Sequence, residues 1–346
     1  MDSPKISVLI PTYNRRHYIE QCLDSALNQT FQDYEIIIRD NASTDGAADF
    51  IMQKYAAEIS SGKIKLHRNK KNYGGTANGN MLVHDARGKY IMFLHDDDMY
   101  LSHALQHMYE VAEFFQADVV HECKYLTTDS DGIIGEDKPL ALVNYDANQV
   151  NEIEIMPSDL YYRVNEWFSM GIDIQHNIFN RKFFIDNELI FYPFFDARFL
   201  ALKWLLRAKT FVKTPVPFYI YRQSHDSDTN SKFTPERVAQ FISNQIKTFR
   251  YLDEFFATED FLKNNKDLQY RIRNHMFYIL DNFWIIRNGI YKNGVTPELN
   301  QAVEDTFKKY FGDDYALPVS LFHWLHSGIC RQDHRVINSS SKNFWE

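Results

Sequence analysis

Asp96, Asp97 and Asp98 follow one another just after the apolar run Tyr90 to Leu94. Three like charges on so short a segment repel one another unless a cation lies among them. Hard divalent ions such as Mn2+ or Mg2+ favour oxygen ligands and are commonly completed by substrate phosphates. A solvated acidic turn is the plain alternative; the preceding strand, which reads as buried on both faces, gives the triplet a rigid platform and favours ion binding. Two more polar segments also follow short apolar runs. Pro11 to Asn14 comes after Ile6 to Ile10, and Asp40 to Asp45 comes after Tyr34 to Ile38.

The elements that must position these segments alternate in type. Between the first two apolar runs, Ile19, Cys22, Leu23, Ala26 and Leu27 recur at helical spacing over Tyr18 to Leu27, and Ala47 to Ile59 reads as a second helix. Ile64 to His67 makes a third strand and Tyr90 to Leu94 a fourth. Strand and helix in alternation predict a doubly wound α/β layer, in which ligands bind beyond the carboxyl ends of the strands. All three polar segments fall at those ends. From Thr127 to Asn151 the turn residues Asp129, Ser130, Asp131, Gly132 and Gly135 predict a flexible connection, followed by an aromatic-rich stretch to about residue 230. Past it, Ile272, Met276, Ile279, Leu280, Phe283, Ile286 and Ile290 predict a helical C-terminal appendage. The expected division is therefore 1–126, 127–230 and 231–346. His103 and His107 lie off the apolar face formed by Leu101, Leu105, Met108 and Ala112, so they are expected to face solvent rather than bind zinc. Lys63, Lys65, Arg68, Lys70 and Lys71 read as a solvated surface.

Bulk composition excludes several classes. With 346 residues and 45% hydrophobic content the chain can bury a sizeable core, and a net charge of -8 supplies no basic footprint for nucleic acid. Cys22, Cys123 and Cys330 are widely spaced and odd in number, which points to neither a disulfide framework nor a zinc site but to a reducing, cytoplasmic setting. The N-terminus shows no leader pattern, and no apolar run approaches the roughly 20 residues that span a bilayer.

Three motifs together, Ile6-Ser7-Val8-Leu9-Ile10-Pro11-Thr12-Tyr13-Asn14, Asp40-Asn41-Ala42-Ser43-Thr44-Asp45-Gly46 and Phe93-Leu94-His95-Asp96-Asp97-Asp98, resemble in order and spacing the motif series of the family-two inverting glycosyltransferases. The resemblance implies a GT-A fold, a doubly wound mixed sheet flanked by helices. It implies that Pro11, Tyr13 and Asp40 hold the nucleoside. Asp96 and Asp97 would hold the diphosphate, and Asp96 and Asp98 the metal, Mn2+ or Mg2+. Asn72-Tyr73-Gly74-Gly75 resembles the segment bordering the donor phosphates, giving Asn72 and Gly74 that role; Gly79 stands where the family carries Arg, and Arg39 where it often carries Asp. Asp196 takes the place of the family's general base, with Phe195 where a Glu is expected. Asp196 is also a good helix N-cap, and Asp173 is the reserve base. Tyr219, Tyr221, Arg222 and His225 resemble the family's Tyr-Arg and later His; His225 either completes the metal sphere or is an inert loop residue.

The function implied by the resemblance is an inverting transfer of sugar from a nucleotide diphosphate donor, UDP first, to a hydroxyl of a glycan or lipid-linked saccharide, as in surface polysaccharide synthesis. A nucleotide-sugar or carbohydrate-binding protein without catalysis and a sugar-phosphate nucleotidyltransferase are the competing readings. For the C-terminal helices, packing as core or as a homo-oligomer interface is expected ahead of peripheral membrane contact at the inner face.

Overall fold

The computed structural model describes residues 3–132, 134, 140–144, 151–169, 173–191, 197–224 and 251–273, together with positions 236, 244, 247, 297, 301 and 305. The chain divides into two compact units, 1–225 and 226–346.

In the first unit β1 (Ile6–Thr12), β2 (Tyr34–Asp40), β3 (Ile64–Arg68) and β4 (Tyr90–Phe93) run parallel in the order β3-β2-β1-β4. They are joined by α1 (Ile19–Leu27), α2 (Ala47–Lys54), α3 (Ala56–Ser60) and α4 (Gly75–Asp85). The apolar runs read from the sequence are these strands, and α1 buries Ile19, Cys22, Leu23 and Ala26 as its spacing requires. The helix expected over Ala47 to Ile59 breaks at Tyr55, whose backbone leaves the helical region and whose hydroxyl donates to Asp24 Oδ1 at 2.7 Å. α4 has no counterpart among the expected helices, because its glycines and polar residues give little apolar periodicity.

β5 (Met99–Tyr100), α5 (Ala104–Phe115), β6 (Val119–Glu122), β7 (Lys124–Thr128), β8 (Ala141–Asn144), β9 (Glu154–Ile155) and α6 (Leu160–Ser169) follow. After a 3-10 turn at Ile174–His176 come β10 (Asn177–Asn180), α7 (Arg181–Asp186), α8 (Ala197–Arg207), β11 (Phe211–Thr214) and β12 (Tyr219–Arg222). Among the described residues the main sheet has the order β3-β2-β1-β4-β10-β6-β11-β9, with β10 antiparallel to both neighbours. A second sheet, β5-β12-β7-β8, stands beside it. The architecture is thus a mixed sheet flanked by helices. The connection expected from Thr127 to Asn151 is in part structured: Lys124 to Thr127 pair antiparallel with Ala141 to Asn144. His103 and His107 also depart from the expected solvent-facing position. Both are half-buried, with ring nitrogens 3.1 Å from the Pro217 carbonyl and 2.9 Å from Thr214 Oγ1, because the chain between β11 and β12 packs over that flank of α5.

A buried polar tie fixes how β1 meets the turn before β4. The Ser7 hydroxyl donates to Glu35 Oε1 at 2.6 Å and accepts from the Gly88 amide at 2.8 Å. A Cβ at Gly88 would lie 2.5 Å from the Ser7 nitrogen, so only glycine allows this approach.

In the second unit residues 251–258, Asp260–Lys263 and 266–273 are helical and bury Leu252, Phe255, Phe256, Leu262, Leu268 and Ile272. The rest of the expected stripe, from Met276 to Ile290, lies outside the described residues. No described helix is long and apolar enough to cross a membrane.

Candidate active site

Parallel strands β2, β1 and β4 end side by side, and their loops bond to one another. The Tyr13 amide donates to Asp96 Oδ2 at 3.2 Å, the Asn14 amide to Ser43 Oγ at 2.9 Å, and the Thr44 amide to Asn14 Oδ1 at 2.8 Å. Asn41 then joins the next loop: its amide nitrogen Nδ2 donates to Asn72 Oδ1 at 2.8 Å, and its Oδ1 accepts from the Tyr73 amide at 3.0 Å. Asn72 Oδ1 also accepts from the Gly74 amide at 2.7 Å, just where α4 begins. Asn14 and Ala42 hold left-handed φ of 54° and 66°, a strain that persists only where surroundings fix the backbone. Asp40, 1% exposed, keeps its carboxylate on the Ser43 amide at the floor of this crevice. Tyr13 and Tyr73, 43% and 44% exposed, present ring surface at its rim.

The acidic loop is held mainly by β12. Asp98, almost wholly buried, accepts from the Tyr219 hydroxyl at 2.7 Å and the Arg222 amide at 2.8 Å. Arg222 is buried too; its Nε donates to the Asp97 carbonyl at 2.7 Å and Nη1 to the Asp131 carbonyl at 2.9 Å. A side chain at Gly132 would collide with that guanidinium. Burial first, and then Asp97, push Asp96 up to about 7 and Asp98 well above the usual carboxylate range. Unneutralised, this much negative charge is costly to hold in one place.

Three ligand atoms, one each from His95, Asp97 and Asp98, lie within 4.8 Å of one another. Carboxylates with one imidazole form a donor set suited to Mn2+, and Asp98 keeps lone pairs beyond its two hydrogen bonds, so the residues present fit a divalent ion. This grouping differs from the one expected. His95 enters it, Asp97 is a candidate ligand, and Asp96 turns to the Tyr13 amide, with the Arg15 guanidinium 4.0 Å away. His225 and Asp196 lie outside the described residues. Pro11 and Asp40 stand within the carboxyl ends of β1 and β2, and Tyr13, Asn72 and Gly74 on the segments that follow β1 and β3. Tyr219, expected from its place near Arg222, holds Asp98, while Arg15 and the Tyr73 ring carry parts of the site to which the motifs gave no role. The lysine-rich segment is surface structure: Lys65 pairs with Glu35, Arg68 with Asp49, and Lys63 donates to the Gln32 and Tyr34 carbonyls.

One buried carboxylate supports this frame from the opposite side. Glu122, at the end of β6, accepts from the Phe218 and Tyr219 amides and meets His176 Nδ1 at 2.9 Å. It therefore fixes the start of β12, whose Tyr219 reaches Asp98.

Similarity to known proteins agrees with this geometry. Poly(ribitol-phosphate) beta-glucosyltransferase of Bacillus spizizenii is 38% identical over 117 residues, 33% of this chain and 18% of that protein. Poly(ribitol-phosphate) beta-N-acetylglucosaminyltransferase TarP of Staphylococcus aureus is 23% identical over 266 residues, 74% of this chain and 75% of that protein. Stretches matched at 34 to 38% identity span less than half the length of such curated relatives. The crystal structure of S. aureus TarS 1–349 in complex with UDP-GlcNAc superposes over 96% of this chain and 93% of that one, with a TM-score of 0.63 at 15% identity, which shows a shared GT-A fold. The sequence model described as "Glycosyl transferase family 2" matches residues 7–187, more than half the chain, from Ser7 in β1 through the acidic loop to the end of α7. The chain belongs to glycosyl transferase family 2.

Proposed function

We propose that this chain moves a sugar, with inversion, from a UDP-sugar donor to a hydroxyl of a glycan or lipid-linked saccharide in the cytoplasm, as in surface polysaccharide synthesis. The observation that carries the reading is the meeting of the Asp40 loop, the Tyr13 loop and the acidic loop at one end of the parallel strands. In this reading Asp40, Tyr13 and Pro11 hold the nucleoside, with the ring of Tyr73 beside them. The diphosphate lies between the acidic loop and the start of α4, where amides behind Gly74 and the helix dipole favour an anion. His95, Asp97 and Asp98 would hold Mn2+ or Mg2+, with Asp96 and Arg15 flanking the phosphates. A bound divalent ion supplies neutralisation of charge on the departing diphosphate. The crevice orients both reactants, and Asp196, assigned by its place in the family pattern, takes the acceptor's proton.

Support for UDP and for a polymer acceptor comes from the relatives: TarS was crystallised with UDP-GlcNAc, and TarP is named for a poly(ribitol-phosphate) acceptor. Incubation of the chain with UDP-glucose, UDP-galactose and UDP-GlcNAc in Mn2+ tests the proposal by release of UDP. We expect release with at least one donor, abolished by EDTA. Donor binding without release over long incubation, with or without saccharides, would instead mark a nucleotide-sugar-binding protein.

A further inference from the structure

Strand order fixes which loops lie on each side of the acidic loop. Asp40 and the Tyr13 loop come from β2 and β1, on one side of β4. On the other side stands β10, which runs antiparallel with Ile178 opposite Met92, so that its entry, not its exit, lies at this end of the sheet. The turn from Asp173 to His176 is that entry. Next to it β6 ends at Glu122, since Asn177 lies opposite His121, and the chain passes straight into β7 of the second sheet. In that sheet Tyr221 is in register with Thr127, and strand alternation then puts Tyr125, Thr127, Tyr219 and Tyr221 on one face.

The rings on this face form a row. His176 lies 4.9 Å from the Tyr219 ring and 4.9 Å from the Tyr125 ring, and Tyr125 meets Tyr221 edge to face at 6.4 Å. At the Tyr219 end the row is buried and bonded to Asp98; at its other end Tyr125, Tyr221 and Asp173 are half-buried. Asp173 lies near enough to Tyr125 to add to the effect of burial in raising its phenol.

We propose that Tyr125, Tyr221 and Asp173 form the acceptor subsite and take a saccharide ring, an assignment that rests on the transferase reading above. A sugar ring has an apolar C–H face and a rim of hydroxyls. Tyrosine offers an apolar ring with a polar tip to the first, and a carboxylate accepts a strong hydrogen bond from the second. The donor's nucleoside does not compete for this place, because Asp40, Tyr13 and Tyr73 lie beyond β4 and β1. A sugar on Tyr125 stands two ring contacts from Tyr219, and hence from the loop that holds the donor diphosphate.

Saturation-transfer NMR on the full chain, with the methyl glycosides of glucose, galactose and N-acetylglucosamine as probes, tests this. At least one glycoside should receive saturation from the parent chain. Tyr125→Ala and Tyr221→Ala should each weaken its binding about tenfold, the order of effect expected for losing one aromatic anchor. Tyr125→Phe keeps the ring and should bind nearly as well. UDP-sugar binding in Mn2+, measured by calorimetry, should not change in any of them. Glycoside signals equal in parent and alanine variants overturn the subsite while leaving the donor reading intact, as does a parent that binds donor but no glycoside. A parent that binds no donor sinks the transferase reading and this subsite with it. If an alanine variant also loses donor binding, Asp173→Asn, which keeps size and shape, decides: an undiminished glycoside signal overturns the proposal.

Discussion

Asp97 differs from its neighbours in how little of the frame depends on it. Asp98 is tied to Tyr219 and Arg222 in the interior, whereas the Asp97 side chain is half-buried and takes a hydrogen bond from Ser224 Oγ at 3.2 Å. Asp97→Ala should therefore separate ion binding from folding. We expect Mn2+ affinity, read by electron paramagnetic resonance, to fall at least about tenfold, with stability within about 0.5 kcal/mol of the parent; unchanged Mn2+ affinity removes Asp97 from the ligand set. Asp196→Asn preserves shape and removes the basic site, so turnover should drop roughly 100-fold while donor affinity holds. Because Asn caps a helix nearly as well as Asp, full turnover in that variant would transfer the base to Asp173. The acidic triplet and Asp40 were legible in the sequence since each stands at the carboxyl end of a strand rich in apolar residues. Arg15, Tyr73 and Glu122 were not, for their roles arise from which loops meet. Glu122 ends the short strand β6 and gains its partners from Phe218 and Tyr219, 96 and 97 positions later.

At the scale of elements, Glu122 and His176 join β6, β12 and the turn before β10 through one buried pair. Burial pushes Glu122 well above its ordinary 4.5 and holds His176 down to about 4, against an ordinary 6.5. A raised carboxylate contributes stability that is lost as pH rises; a depressed histidine contributes stability that is lost as pH falls below 6.5. Above 4.5 and below 6.5 the two slopes oppose each other. Above 6.5 the unfolded histidine is neutral and its slope is spent, so any slope that remains is that of the raised Glu122 carboxyl and runs downward with rising pH. Urea titrations of the parent and Glu122→Gln from pH 6.5 to 8.5 check the sign: the parent's advantage should shrink as pH rises, and a growing advantage would mean that the folded pair holds no proton. The parallel strands and α1 were readable because apolar runs and helical spacing sufficed. α4 was not, since Gly75, Gly79 and its polar residues serve contacts instead of periodicity: Asn78 donates to the Arg39 carbonyl, and Asn80 exchanges two hydrogen bonds with the Phe191 backbone. The second sheet was hidden by its turn-rich sequence, although two of its strands supply the tyrosine face.

For the molecule as a whole, family membership and the mixed sheet were expected from motif order, while the second unit shows only part of the helical pattern. Its described helices bury their apolar residues, and Arg271 and Arg273 pair with Asp267 and Asp253, which lowers the charge left for anionic lipid. The intact chain should therefore stay in the soluble fraction when mixed with phosphatidylglycerol vesicles; salt-sensitive flotation would establish membrane docking instead. In the proposed reaction the acidic loop and its neighbours hold a nucleotide diphosphate sugar together with a divalent ion. Calorimetric titration of UDP-GlcNAc and UDP-glucose into the intact chain, with Mn2+ and then with EDTA, tests it most directly. Saturable one-to-one binding of at least one donor in Mn2+, lost in EDTA, is the expected result. Equal donor affinity in both conditions, or none in either, would contradict it.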